Sequence, residues 1–405
     1  MFGRHQGFVL RHRGRHPVTS LELAALGFLV ISTLAYVISA VLFRIGLGRL
    51  HDPSGADTPF VSVVIAARNE ESYIGACLDS LARQTYPQDR YEVLVVDDDS
   101  DDRTSEVAAS YSVATVVRPD PQFNDHAAKK RPMATGISRA RGELILTTDA
   151  DCTVPETWIE EVTRCFLPEI DVVIGFSQIR QPRSPGSVWD RLQALDFLAL
   201  LTAAAGATGL GSALAATGQN FAFRKSLFRR VGGYEEVKHR PSGDDVLLLQ
   251  LFKRRAGARV GFCRSPGGFA TTWRTEAIAG YLRQRRRWAS NATAQLRLNP
   301  LFFSYIVTVF TTNALIPVAL CLGPPLFLAG LVAGTVKLLV DALVLSAGAH
   351  IFGRRDLLRL FPMWTLLQPV YIVLVGLTGS LFGFTWKNRR HSHRPSSTDL
   401  NHATV

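Results

Sequence analysis

The sequence predicts an α/β domain built on a doubly wound, mainly parallel sheet and tied to a membrane by helices at both ends. Three observations carry that expectation. Four stretches are far richer in apolar residues than a soluble core helix needs. Between residues 60 and 180, apolar strand-like runs alternate with helical stretches, the βαβα order of a parallel sheet. The span between the apolar ends, roughly residues 50–300, is long enough for one sizeable domain or two small ones. Of 405 residues, 47% are hydrophobic and 20% charged, which excludes a disordered or collagen-like chain. The net charge of +11 sits mostly beside the apolar stretches, where it meets anionic lipid headgroups, so no nucleic-acid partner is expected. Cys77, Cys152, Cys165, Cys263 and Cys321 show neither metal-ligand nor disulfide spacing and read as reduced, small core residues.

In chain order, a basic segment (1–22) holding Arg4, Arg11, Arg13 and Arg15 precedes an uncharged run at 23–43. That run matches the ~20 residues of a spanning helix and exceeds the ~7–15 of a cleaved signal, so an uncleaved anchor is expected. Strands are predicted at 60–66, 91–96, 113–117, 143–148 and 172–176, and helices near 70–83, 102–111, 132–141 and 156–167. The Ala- and Gly-rich run 194–216 carries Asp196; if it crossed a bilayer, the acidic motifs on either side of it would be separated. Its first half, with Trp189, Leu192, Leu195 and Leu198, is therefore expected as an interfacial helix near 187–205. A second interfacial helix is predicted over 274–296. Three spanning helices are expected within 301–384, at 302–322, 326–349 and 361–384, with Pro324 and Pro325 at the first turn. Lys337 and Asp341, at i and i+4, form a neutralised pair facing protein. A basic, disordered tail (385–405) closes the chain.

Ligands of doubly wound sheets bind at the carboxyl ends of the strands. Asp97, Asp98 and Asp99 end the second predicted strand, and Asp149 and Asp151 end the fourth. No GxGxxG follows the first strand, which argues against a dinucleotide site. Two carboxylates two residues apart at a strand end can both reach a hard divalent cation, and that cation can neutralise a diphosphate. In Ser242-Gly243-Asp244-Asp245, ahead of a helical stretch, one carboxylate serves as a cap and the surplus one is a candidate general base. Gln284, Arg287 and Trp288 share a helix face at i, i+3 and i+4, whereas Arg283, Arg285 and Arg286 read as a basic juxtamembrane surface.

Taken in order, VSVVIAARNEE, VLVVDDDSDDRT, the Lys129-Lys130 pair, LTTDADC, TGQNFAFRK, GGYEEV, SGDDVLL and QRRRW resemble the family 2 glycosyltransferases over about residues 58–300. The closing FTWKNRR resembles the tail of membrane-bound bacterial members. The resemblance implies a GT-A fold for 58–300. It implies that Asp97 and Asp98 hold the nucleotide's base and ribose, with Arg68 and Glu70 lining that pocket and Lys129 or Lys130, Lys130 foremost, near the nucleotide. Asp149 would face the sugar donor, and Asp151, with Asp149, would bind Mg²⁺ or Mn²⁺. Asp245 would be the base beside Asp244, which stands where many members have Glu. Gln284, Arg287 and Trp288 match the QxxRW motif, with Arg287 on phosphate and Trp288 closing the acceptor pocket.

The function these features imply is a multi-pass enzyme of a bacterial cytoplasmic membrane, with its catalytic domain in the cytoplasm. It would transfer a sugar, with inversion, from a nucleotide-sugar donor, expected to be UDP-linked, to a lipid or lipid-linked acceptor. A processive polysaccharide synthase shares the motifs but needs more spanning helices for a channel. A non-catalytic nucleotide-sugar-binding scaffold would show gaps in the acidic set, and none occurs. Four spans and a cytoplasmic domain put both termini outside, against the positive-inside tendency of Arg11, Arg13, Arg15, Lys387, Arg389 and Arg390. Asn291-Ala292-Thr293 is a glycosylation sequon by pattern only.

Overall fold

The computed structural model describes residues 19–180 and 187–381 and the short segments 384–386 and 389–391. The basic stretch through residue 18, Lys387 and the tail beyond residue 391 lie outside the described residues. Helix α1 (Ser20–Leu47) starts ahead of the predicted span because Thr19 and Glu22 cap it reciprocally. The Thr19 hydroxyl accepts from Glu22 N at 3.2 Å, and the Glu22 carboxylate accepts from Thr19 N at 2.8 Å. The soluble domain then runs β1 (Val61–Ala67), α2 (Ile74–Ala82), β2 (Tyr91–Asp97), α3 (Thr104–Ala109), β3 (Ala114–Val117), α4 (Lys130–Arg139) and β4 (Leu144–Thr147). It continues through β5 (Cys152–Thr153), α5 (Trp158–Thr163), β6 (Val172–Gly175), β7 (Ser177–Ile179), α6 (Val188–Gly209), β8 (Phe221–Arg224), α7 (Lys225–Arg230), α8 (Val246–Ala256), β9 (Val260–Cys263) and β10 (Ala270–Thr272). Helices α9 (Ile278–Ala289) and α10 (Ala292–Leu298) follow, then the long apolar helices α11 (Pro300–Leu320), α12 (Pro324–Ile351) and α13 (Phe361–Leu381), and the short strands β11 (Phe384–Trp386) and β12 (Arg389–His391).

All five predicted strands form; the central ones are apolar runs buried on both faces of the sheet, and β3, at the sheet edge, is only partly buried. The main sheet has the order β3-β2-β1-β4-β8-β6-β9. Its first four strands are parallel, β8 runs antiparallel to both neighbours, and β6 is parallel to β9. Val63 and Ile65 pack with α2 on one face, and Val64 and Val96 pack with α4 on the other. A three-stranded sheet, β5-β10-β7, sits at the end where the acidic motifs emerge.

Among the described residues, five helices are long and apolar enough to cross a membrane: α1, α6, α11, α12 and the segment Arg355–Gly379 that contains most of α13. Four of them expose large apolar side chains outward, among them Phe28 and Ile31 on α1, Leu301 on α11, Leu339 on α12 and Val370 on α13. Helix α6 differs. The interfacial helix expected over 187–205 is instead buried along nearly its whole length. A helix that is apolar all round belongs inside protein. It packs against α1 so tightly that a Cβ on Gly46 would fall 1.8 Å from Gly206 O. After α6 the chain returns to the sheet it left, in β8 beside β4, so α6 does not put the two acidic motifs on opposite sides.

The stretch 274–296 is two helices rather than one, broken at Ser290-Asn291. Lys337 Nζ lies 2.6 Å from Asp341 Oδ2 and 2.5 Å from Gln368 Oε1, and Tyr36 donates to Asp341 Oδ1 at 2.7 Å, which joins α1, α12 and α13. Of the five free cysteines, Cys77, Cys152 and Cys263 are buried and Cys165 is half-buried; Cys321, at the end of α11, is exposed instead of in the core.

Candidate active site

Strand ends create the first wall. Where β1 and β2 stop, Asp98 is buried and its Oδ1 accepts from Arg131 Nε at 2.8 Å and Nη2 at 2.5 Å. Arg68 Nη1 donates to the Asp98 carbonyl at 2.5 Å. Asp97 instead accepts from Ser100 N at 3.3 Å and from the Ser100 hydroxyl, away from the cavity.

At the end of β4, donor atoms of Asp149, Asp151 and Cys152 lie within 4.8 Å of one another. Burial, then the charges of Asp149 and Glu70, push the Asp151 carboxyl up to about 7. That repulsion is what a dication would relieve, so the two carboxylates fit a hard divalent metal. Cys152 does not fit it: burial, then the charges of Asp151 and Asp149, keep its thiol protonated.

The second wall is strapped over the first. Thr147 Oγ1 donates to Gly218 O at 3.0 Å and to Phe221 O at 3.1 Å, which holds the 217–220 turn above β4. Gly218 N in turn donates to Asp245 Oδ2 at 2.7 Å, while Asp245 Oδ1 accepts from Val246 N at 2.5 Å and caps α8. Asp245 is thus the capping carboxylate as well as the expected base. Burial, then the charge of Asp244, pushes its carboxyl up to about 6, close to the range in which a base can work at neutral pH. For Asp244, burial is outweighed by Lys129, Lys130 and Arg287, and its carboxyl falls below the usual range. Ser242 Oγ donates to Arg287 O at 3.2 Å and Asn291 Nδ2 donates to Ser242 Oγ at 3.0 Å, so the DD loop is tied to the break between α9 and α10. Gly243 (φ 76°) is needed at that tie, since a Cβ there would lie 2.9 Å from Asn291 Oδ1. The sequon asparagine is therefore buried and engaged.

One cavity of about 1060 Å³ is lined by Arg68, Glu70, Asp98, Asp149, Asp151, Asp244, Asp245, Gln284, Arg287 and Trp288. Ten of the sequence-derived site residues therefore meet in one space, and Asp97 and Lys130 do not line it. Lys130, expected at the nucleotide, buries its Nζ on the carbonyls of Arg240 (2.6 Å) and Ser242 (2.9 Å), and burial lowers its pKa to about 8. Its neighbour Lys129 enters the cavity, pairing with Asp149 and lying 3.3 Å from Asp244.

Sequence reasoning also misplaced Arg285. It is only 5% exposed, with Nη2 2.5 Å from Asp196 Oδ2 and its guanidinium 4.4 Å from the Trp288 ring centroid. Asp196 also accepts from Tyr281 at 2.7 Å, from Trp364 at 3.3 Å and from Tyr371, so one carboxylate joins α6, α9 and α13. The spacing Tyr281, Arg285, Trp288 (i, i+4, i+7) was the available signal for this face. Beyond this knot the same cavity continues between α11 and α13, along Phe302, Ile306, Phe310, Tyr371 and Val375.

Residues 62–232 match the model of the family described as glycosyl transferase family 2. The chain is 36% identical over 129 residues to glycosyltransferase AglE of Haloferax volcanii, covering 31% of this chain and 41% of that protein. It is 30% identical over 246 residues to a beta-monoglucosyldiacylglycerol synthase of Synechocystis sp., covering 59% of this chain and 49% of that one. The chain spans about half the length of the curated relatives it matches. Its fold is similar to that of the mannosyltransferase PcManGT of Pyrobaculum calidifontis, solved with GDP-Man and Mn²⁺, at a TM-score of 0.53 and 20% identity over 88% of this chain and 99% of that one.

Proposed function

We propose that this chain, which carries a glycosyl transferase family 2 domain on a GT-A fold, is a membrane-bound inverting glycosyltransferase. It moves a sugar from a nucleotide-sugar donor, UDP-linked, to a lipid or lipid-linked acceptor. The observation that carries this reading is the continuity of the cavity, which runs from the strand-end carboxylates to the apolar walls of α11 and α13. A diffusing sugar needs no such apolar extension, and a lipid does.

In this reading the donor lies over the ends of β2 and β4, with Arg68, Glu70 and Asp98 at the nucleotide and Asp149 at the sugar. The acceptor hydroxyl meets Asp245, whose orientation is set by the amides of Gly218 and Val246. Asp245 takes the hydroxyl proton, the oxygen attacks the anomeric carbon from the side opposite the diphosphate, and configuration inverts without a second carboxylate nucleophile. Arg287 faces the departing diphosphate, and Lys129 keeps Asp149 and Asp244 together. A Mg²⁺ or Mn²⁺ on Asp149 and Asp151 would supply charge neutralisation for the diphosphate, and the PcManGT neighbour was solved with Mn²⁺.

The catalytic domain faces the cytoplasm, where nucleotide sugars are made. The test is purified full-length protein in lipid nanodiscs, given UDP- and GDP-sugars, with mass spectrometry of the extracted lipids. A single sugar on a lipid is expected; a polymer would point to a processive synthase, and neither product nor donor hydrolysis would remove the reading.

A further inference from the structure

The acceptor half of the cavity holds polar groups that the donor reading leaves unused. Gln295 on α10 lines the cavity, is 1% exposed, and among the described residues neither its Oε1 nor its Nε2 has a partner. Gln219, 8% exposed on the turn before β8, lines the same space with its Oε1 also unpartnered. A buried amide without partners loses its hydration with nothing in return, so these atoms are complete only when a ligand supplies the missing hydrogen bonds. Gln295 is well placed for that. It lies one helical turn beyond Asn291, which holds the DD loop, and seven residues before Phe302, where the apolar wall of α11 begins. At ~1.5 Å per helical residue it stands roughly 6 Å along α10 from Asn291, and only the break at Asn299 separates α10 from α11, so it sits at the change from polar to apolar lining.

The charges of the cavity restrict what can bind there. Its lining includes five cations, and carboxylates occupy four of them. Lys129 faces Asp149 and Asp244, Arg68 faces Asp101 and the Asp98 carbonyl, Arg274 faces Asp190, and Arg285 faces Asp196. Arg287 lends its charge to Asp244 and is the group left for the donor diphosphate. A phosphate-headed acceptor would enter beside Asp244 and Asp245 with no cation of its own. A doubly ionised phosphate also offers only acceptors, so it could satisfy Nε2 of Gln295 but not Oε1, whereas a hydroxyl both donates and accepts.

Building on the transferase reading above, we infer that the acceptor is a lipid with an uncharged, hydroxyl-bearing headgroup, and that Gln295 recognises this headgroup. The amide of Gln295 brackets the headgroup while the chains lie between α11 and α13, which leaves the reacting hydroxyl at Asp245.

The test uses the full chain in nanodiscs, supplied with the best donor from the nucleotide-sugar panel and with dioleoylglycerol or dioleoyl phosphatidic acid as acceptor. Dioleoylglycerol is expected to be glycosylated with kcat/KM at least about tenfold above that for phosphatidic acid, the worth of a buried hydrogen bond. Gln295→Leu should raise the acceptor KM about tenfold and leave acceptor-free donor hydrolysis within about twofold. Gln295→Glu, which keeps an acceptor for the headgroup hydroxyl, should lose less than Gln295→Leu. Equal or better use of phosphatidic acid, or an unchanged acceptor KM in Gln295→Leu, overturns the inference while donor hydrolysis persists. Loss of hydrolysis and transfer alike in the wild-type chain would instead remove the underlying transferase reading.

Discussion

The two halves of the cavity are built in different ways. The half proposed for the donor stands on neighbouring strands of one sheet, where β2 and β4 flank β1 and deliver Asp98, Asp149 and Asp151 at their carboxyl ends. Strands ~4.8 Å apart set those positions, and the backbone ladder holds them. The half proposed for the acceptor is assembled from α6, α9, α10, α11 and α13, elements with no common ladder. What holds much of it is one buried carboxylate, Asp196, with four donors from α9 and α13 around it. The difference implies that the halves can be damaged separately: the donor half is robust through its backbone, and the acceptor half depends on a few side chains.

The most severe separation comes at the seam. Asp245→Asn should lower transfer by about 10²–10⁴-fold with donor affinity nearly intact, because a base acts on the acceptor. Calorimetric donor binding beside turnover checks this, and parallel loss of both would make Asp245 a structural cap. Since burial pushes its carboxyl up to about 6, the wild-type rate should fall about tenfold per pH unit below that value, as the base becomes protonated.

Damage to the acceptor half should appear first as lost stability. Asp196→Asn leaves the Arg285 guanidinium buried without its counter-charge, at a cost of about 3–5 kcal/mol. Thermal unfolding of the detergent-solubilised chain measures it, and Asp196→Asn combined with Arg285→Met should recover part of the loss. An unchanged melting temperature would mean that the knot does not hold this half together.

In the donor half, Asp151→Ala should cost on the order of a hundredfold in transfer and abolish the response to added Mn²⁺, with the melting temperature little changed. Undiminished activity in excess chelator would exclude the metal from the mechanism.

The smallest effect is expected from Trp288→Ala. It should weaken acceptor use about tenfold and spare metal-dependent donor hydrolysis, because its indole lies beside Arg285 and Phe197 on the acceptor side. Equal loss of both reactions would place Trp288 in the general packing of α9.

Much of the donor half was legible in the sequence, and the reason is local. A buried parallel strand is an apolar run, and VLVVDDD and LTTDAD put carboxylates directly after one, so the strands and the cavity-lining Asp98, Asp149 and Asp151 at their ends could be read in a few letters. The long apolar helices were legible for the same reason, since length and apolar composition can be read directly along the chain. The choice between adjacent like residues was not. Lys129 and Lys130 are indistinguishable by pattern, and which of them enters the cavity depends on where α4 begins and on the carbonyls of Arg240 and Ser242, more than a hundred residues away. Arg285 resembled its neighbours Arg283 and Arg286 until α6 brought Asp196 beside it. Helix α6 looked like a surface or spanning segment because composition records that a face is apolar and does not record what covers it. Composition and short-range pattern thus decided which segments are strands, which are helices and which carboxylates gather at the strand ends. The packing of distant helices decided which cation faces the site, which one is buried under Trp288, and that the site continues into an apolar cavity, because burial and pairing belong to neighbours in space that the order of residues along the chain does not specify.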